Sequence, residues 1–159
     1  MLRYEQMKYI ILEDIRSAYN VGAIFRTADA SGVAKVFLTG YTPAPIDRFG
    51  RPQPEIQKTS LGASETMAWE QVATTKEIID RLQADGVVVA AVELAEGSVS
   101  LKDFKEPENV AYIVGNEVDG VTKETLEQAD VIVELPMLGA KESLNVSVTA
   151  GIILYHGIT

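Results

Sequence analysis

Three stretches of the chain set polar or charged side chains among small residues, a combination that lets a ligand approach the backbone. The first runs Asn20-Val21-Gly22-Ala23-Ile24-Phe25-Arg26-Thr27-Ala28-Asp29-Ala30. Val21, Ile24, Phe25 and Ala28 recur at helical spacing and define an apolar face. At ~100° per residue, Arg26 points about 140° away from the centre of that face. Its neighbours three and four residues away are Gly22, Ala23, Asp29 and Ala30, so another chain or a ligand can lie close against this cation. The plain alternative is a solvated Arg26 paired with Asp29, contributing about 0.2–0.5 kcal/mol. Asn20 is well placed to cap the helix, and that role alone accounts for it.

The second stretch is Tyr112-Ile113-Val114-Gly115-Asn116-Glu117-Val118-Asp119-Gly120-Val121. An apolar strand runs into a loop bounded by two glycines, which allow close backbone approach. Asn116 and Glu117 fall at the strand's C-terminal end, where open α/β sheets bind ligands. A tight turn built on Asp119-Gly120 explains the same residues without a ligand. The third stretch, Glu134 to Val148, leaves a strand at Pro136, passes Met137 and Gly139, and enters an apolar helix. Ser143 suits its N-cap. Asn145 and Ser147 then fall inside the most apolar segment of the chain, where an unpaired polar group costs about 1–3 kcal/mol. They either bond back to the helix or face a site.

Other chemistries are poorly provided for. There is no G-x-G-x-x-G or G-x-x-x-x-G-K-[ST] loop and no G-x-S-x-G elbow. With no cysteine, disulfides, zinc–thiolate sites and thiol catalysis are excluded. The single histidine, His156, argues against a His-centred triad or a multi-histidine metal site and reads as a surface or partner contact.

The elements that must position these stretches alternate between strand and helix. Strands are predicted at Tyr9–Leu12, Lys35–Thr39, Val87–Glu93, Val110–Val114 and Val131–Leu135. Helices are predicted at Val21–Ala30, Glu65–Val72, Thr75–Asp85, Thr122–Gln128 and Leu144–Tyr155, the last apolar nearly all round and so deeply buried. Gly40–Pro54 holds four of the six prolines and reads as a long loop with a mobile Asp47–Arg51 segment. The alternation predicts an α/β fold with a mostly parallel sheet flanked by helices.

At 159 residues the chain is expected to form one domain, residues 1–159, with no internal domain boundary. The N-terminus lacks the pattern of a signal peptide, and no apolar run is long enough to span a bilayer. With the absence of cysteine, this suits a cytoplasmic protein without a membrane partner. The net charge of −9 excludes nucleic-acid binding by overall charge but leaves room for a local basic patch.

In order and together, the three stretches resemble the motifs of the SpoU-type (TrmH-like) RNA 2′-O-ribose methyltransferases of the SPOUT superfamily. NVGAIFRTADASG resembles the first motif, IVGNEVDGV the second and LPMLGAKESLNVSVTAGIILY the third; KTSLGASE, residues 58–65, resembles a segment between the first two. The resemblance spans Ile11 to Tyr155. It implies a C-terminal deep trefoil knot, S-adenosylmethionine as cofactor, RNA (tRNA or rRNA) as substrate, a homodimer with the site near the subunit interface, and no metal. Position by position, it implies that Gly115, Leu135 and Leu144 contact the cofactor with Met137 nearby. It puts Asn20, Arg26, Glu117, Ser143 and Asn145 at catalytic or substrate-side positions.

In that reading the ribose oxygen is set in line with the donor's methyl–sulfur bond, and positioning supplies several kcal/mol. Because a guanidinium stays protonated, Arg26 is better suited to grip the adjacent phosphate and stabilise alkoxide charge than to accept a proton. The acidic charge favours one alternative, an S-adenosylmethionine-binding module that does not methylate RNA or acts on a non-RNA substrate. A conventional phosphate- or dinucleotide-binding enzyme is the other, and it lacks its glycine fingerprint.

Overall fold

The computed structural model describes residues 6–158, so Met1–Glu5 and Thr159 of the expected 1–159 domain lie outside the described residues. Seven strands form one sheet: β1 (Met7–Glu13), β2 (Lys35–Thr39), β3 (Trp69–Val72), β4 (Val88–Val92), β5 (Val99–Ser100), β6 (Asn109–Val114) and β7 (Val131–Glu134). Their order is β3-β2-β1-β6-β4-β7-β5, and every pairing is parallel. Helices α1 (Ala18–Ala30), α2 (Pro54–Ser60), α3 (Ala63–Thr66), α4 (Thr75–Ala84), α5 (Lys123–Gln128) and α6 (Val146–Tyr155) connect and cover them.

Side chains that alternate along a strand sort the core into two layers. Ile10, Leu12, Val36, Leu38, Ala90, Val92, Val110, Tyr112 and Val114 face α1 and α6. Their sequence neighbours Ile11, Phe37, Val89, Ala91, Ala111 and Ile113 face α4. A sheet covered on both faces reads as continuous apolar runs, which is why its central strands were legible. Among the described residues, no helix is long and apolar enough to cross a membrane.

Four expectations change. Ser17, not Asn20, caps α1, with its side chain accepting from the Asn20 amide. The helix expected over Glu65–Val72 is the short α3 followed by β3, because Trp69–Val72 pairs with the open edge of β2. The loop after β2 ends in α2, started by Pro54 and capped by Gln53. Finally, α6 is covered on one side only: Val146, Ala150, Ile153 and Leu154 are buried, while Val148, Ile152 and Tyr155 stay exposed.

Candidate functional site

The C-terminal ends of β4 and β6 and the segment after β7 enclose an open cleft of about 280 Å³. Gly115, Leu135, Met137 and Leu144 all line it, as do Glu117 and Ser143. Gly115 has a reason to be glycine that the sequence did not reveal. A Cβ there would lie 2.4 Å from the Gly120 carbonyl carbon, so the close approach is to the chain's own backbone rather than to a ligand. Gly120 has φ 69° and donates its N–H to the Asn116 carbonyl at 2.9 Å, closing the turn. The tight turn expected at Asp119-Gly120 is therefore formed, and it borders the cleft.

Asn116 fixes that turn from the inside. Its Oδ1 accepts from the Val118 and Asp119 amides, each at 2.9 Å. Its Nδ2 donates to the Asp14 carbonyl at 2.9 Å and to the Tyr41 hydroxyl at 2.8 Å. Glu117 then reaches over the start of α1, where its carboxylate accepts from the Arg16 amide at 2.8 Å, the Ser17 amide at 2.9 Å and Asn20 Nδ2 at 3.3 Å. Burial pushes the Glu117 carboxyl up, but the Arg16 and Ser17 amides and Asn20 outweigh it and hold the carboxyl below its ordinary value.

Asn20 is buried in the first turn of α1, with its amide on Glu117 and its Oδ1 accepting from Asn145 Nδ2 at 3.4 Å. Asn145 is not inside a helix. It caps α6, accepting from the Ser147 amide at 2.9 Å, and takes the cap role expected of Ser143, which lies exposed on the cleft rim. One chain of hydrogen bonds, Glu117–Asn20–Asn145, thus joins the three sequence stretches. All three side chains are spent on holding backbone or each other.

Arg26 stands apart. It is exposed, has no carboxylate within 4.0 Å among the described residues, and does not line the cleft. It shares a second hollow, about 520 Å³, with Lys58, Tyr19, Leu61 and Tyr155. Of the small neighbours expected to leave it room, Ala23 and Ala30 line that hollow. Gly22 instead lies against α2, where a Cβ would fall 2.7 Å from the Ile56 carbonyl oxygen.

Sequence reasoning missed Glu93 and Glu13. Glu93 closes β4 and accepts from the Val121 amide at 3.0 Å, bracing the loop that Gly115 begins. Glu13 is buried at the end of β1 and accepts from the Thr122 amide at 2.9 Å and from the Thr125 hydroxyl. An acidic residue ending an apolar strand was the available signal in both. His156, read as a surface or partner contact, lies with Nε2 3.1 Å from the Phe104 carbonyl oxygen and its ring stacked on Phe104.

Among the described residues, four carboxylates border the cleft, Glu93, Glu117, Asp119 and Glu142, and no Lys or Arg does. With Leu94, Leu135, Met137 and Leu144 beside them, the lining suits a ligand with an apolar body and positive charge. It repels a polyphosphate. The fold and cleft together define an α/β domain with an open pocket at the C-terminal ends of its parallel strands, the place where open α/β sheets bind ligands.

The description "SpoU rRNA Methylase family" fits residues 7–155, and the chain belongs to that family. It is 34% identical over 145 residues to the 23S rRNA (guanosine-2′-O-)-methyltransferase RlmB of Neisseria meningitidis serogroup B, covering 91% of this chain and 55% of that protein. The crystal structure of an AdoMet-bound rRNA methyltransferase from Sinorhizobium meliloti superposes with TM-score 0.86 at 31% identity, covering 96% of this chain and 56% of that one. The A. aeolicus TrmH/SpoU tRNA modifying enzyme gives 0.81 at 27% identity, covering 97% and 74%. The chain spans about half the length of the curated relatives it matches.

Proposed function

We propose that the chain binds S-adenosylmethionine in the cleft and directs methyl transfer to a ribose 2′-hydroxyl of tRNA or rRNA in the cytoplasm. One observation carries this reading: acidic and basic side chains are sorted into two separate hollows. A sulfonium donor that also bears an ammonium group matches the carboxylate-lined cleft. A phosphate matches the hollow holding Arg26 and Lys58. Family membership supports the same assignment.

When bound, the donor supplies an electrophilic methyl group. Leu135, Met137 and Leu144 would hold its apolar portion, and the turn begun by Gly115 would offer backbone groups. Glu117, Asn20 and Asn145 are positioning residues that fix the cleft wall against α1 and α6. Ser143 belongs to the substrate side of the rim. Arg26 binds the phosphate next to the target ribose and stabilises developing charge on its 2′-oxygen, since a guanidinium does not release its proton.

Arg26 and the cleft come together when two copies pack through α1 and α6. Exposed Tyr19, Val148, Ile152 and Tyr155 supply an apolar surface for such a homodimer. The C-terminal segment, residues 135–145 and α6, is read as threaded in a trefoil knot, as the family resemblance implies. The test is incubation with radiolabelled S-adenosylmethionine and RNA, followed by nucleoside mapping. Label in 2′-O-methylnucleosides supports the proposal; label on bases or none on RNA refutes it.

The net charge of −9 favours a second reading, a donor-binding module that does not methylate RNA. Donor binding with no acceptor activity on tRNA or rRNA would select it.

A further inference from the structure

The segment Asp47–Arg51 concentrates cations and an aromatic ring on a chain that is otherwise acidic. Phe49 is 65% exposed, and the guanidinium carbons of Arg48 and Arg51 lie 4.7 and 5.0 Å from its ring centre. The turn that carries them is built rather than loose. Asp47 accepts from the Phe49 amide at 2.8 Å and the Arg51 amide at 3.0 Å, and its other oxygen pairs with Arg51 Nε at 3.0 Å. The Asp47 amide donates back to the Arg51 carbonyl at 2.9 Å, and Ile46 bridges Pro52. Arg48 has no carboxylate within 4.0 Å among the described residues.

A large apolar ring held in water beside two guanidinium groups has no role in packing this fold. Bases stack on aromatic rings and on guanidinium planes, and phosphates pair with the free cation. The position fits as well. The loop leaves the C-terminal end of β2, two strands and so roughly 10 Å from β6. Its first residues are tied to the cleft turn through Tyr41, whose hydroxyl accepts from Asn116 at 2.8 Å. Its far end runs into α2, which brings Lys58 to the hollow of Arg26.

We propose that the Arg48–Phe49–Arg51 cluster is a stacking platform for one unpaired RNA base flanking the methylated nucleotide, with Arg48 on the adjacent phosphate. This rests on the RNA-methylation reading and adds a contact outside the donor cleft. Asp47 holds the platform rigid by fixing the turn and orienting Arg51.

The test measures binding of a fluorescein-labelled single-stranded RNA 12-mer and of a blunt RNA duplex to wild type, Phe49→Ala, Phe49→Leu and Arg48→Ala, with S-adenosylmethionine titrated as a control. Phe49→Ala and Phe49→Leu should each weaken single-strand binding by about 5- to 100-fold, the effect of removing one base–aromatic stack. Duplex and donor affinity should be unchanged. Arg48→Ala should lower the slope of log K against log salt by about 1. Because Phe49 is exposed, these variants should melt with wild type. Unchanged single-strand affinity in both Phe49 variants overturns the platform while leaving the methylation reading intact. A wild type that binds the donor but neither RNA overturns both. Loss of self-association without loss of RNA affinity would make the loop a protein contact and also overturn it.

Discussion

At the N-terminal edge of the sheet, Lys8 and Glu106 meet inside the protein; at the C-terminal edge, Glu117, Asn20 and Asn145 meet beside an open cleft. Lys8 Nζ lies 2.8 Å from Glu106 Oε1, with both side chains 6% exposed, and donates to the Leu154 carbonyl at 3.0 Å and the His156 carbonyl at 3.3 Å. Tyr112 donates to the other Glu106 oxygen at 2.8 Å; burial, then Glu106, pushes its hydroxyl far above the ordinary range. This pair clamps the last turn of α6. The first turn of the same helix is held by buried Val146, an exposed cap and one 3.4 Å bond. The polar anchors of the helix are therefore buried and charged where there is no cleft, and exposed and neutral where there is one. A binding wall is drawn from the less stable part of a fold, since it must admit its ligand.

The largest effect is expected at the clamp. Lys8→Met leaves Glu106 buried without its cation and should cost about 3–5 kcal/mol in chemical denaturation. Donor affinity per folded molecule should hardly change; a loss comparable to that at the cleft would show that the two ends are not separable.

Gly115→Ala should act in the opposite sense. Its Cβ meets backbone that cannot swing aside, so about 1–3 kcal/mol of overpacking falls on the cleft turn. Donor binding should drop at least as much as stability, when melting and titration are compared on one preparation. Glu117→Gln should cost about 1–3 kcal/mol by weakening the tie to α1.

The same residue sets a pH dependence. A carboxyl held below its ordinary 4.5 contributes stability that is fully present above that pH and is lost as pH falls through its lower folded value. Wild-type stability should therefore decline on acidification below about pH 4.5, and the decline should be shallower in Glu117→Gln, read by melting at stepped pH. The smallest effect is expected for Asn145→Ala, about 1 kcal/mol from the lost cap, with the end of α6 at Lys8 still protected in hydrogen exchange.

The central strands could be read because both their faces are covered, and β2 has the bounds expected of it, Lys35–Thr39. The edge strand β3 could not: Glu65–Val72 has no strand pattern of its own, and the free edge of β2 recruits it. For the cleft, the resemblance to the SpoU-type motifs implied Gly115, Glu117, Leu135, Met137, Ser143 and Leu144, and all six line it, but the division of labour among them was not legible. Asn20 and Asn145 exchanged their expected local roles, one becoming a buried tie and the other a cap. A helix apolar all round, such as α6, reads as buried from sequence; its open face becomes visible only once the single chain is folded.

The central claim is that the acidic cleft at the C-terminal edge takes a cationic methyl donor. Calorimetric titration of the wild-type chain with S-adenosylmethionine and, separately, with ATP tests it most directly. The account predicts saturable binding at one site per chain for S-adenosylmethionine, weakened in Gly115→Ala, and none for ATP. Binding of ATP without S-adenosylmethionine, or donor binding that Gly115→Ala leaves untouched, would contradict it.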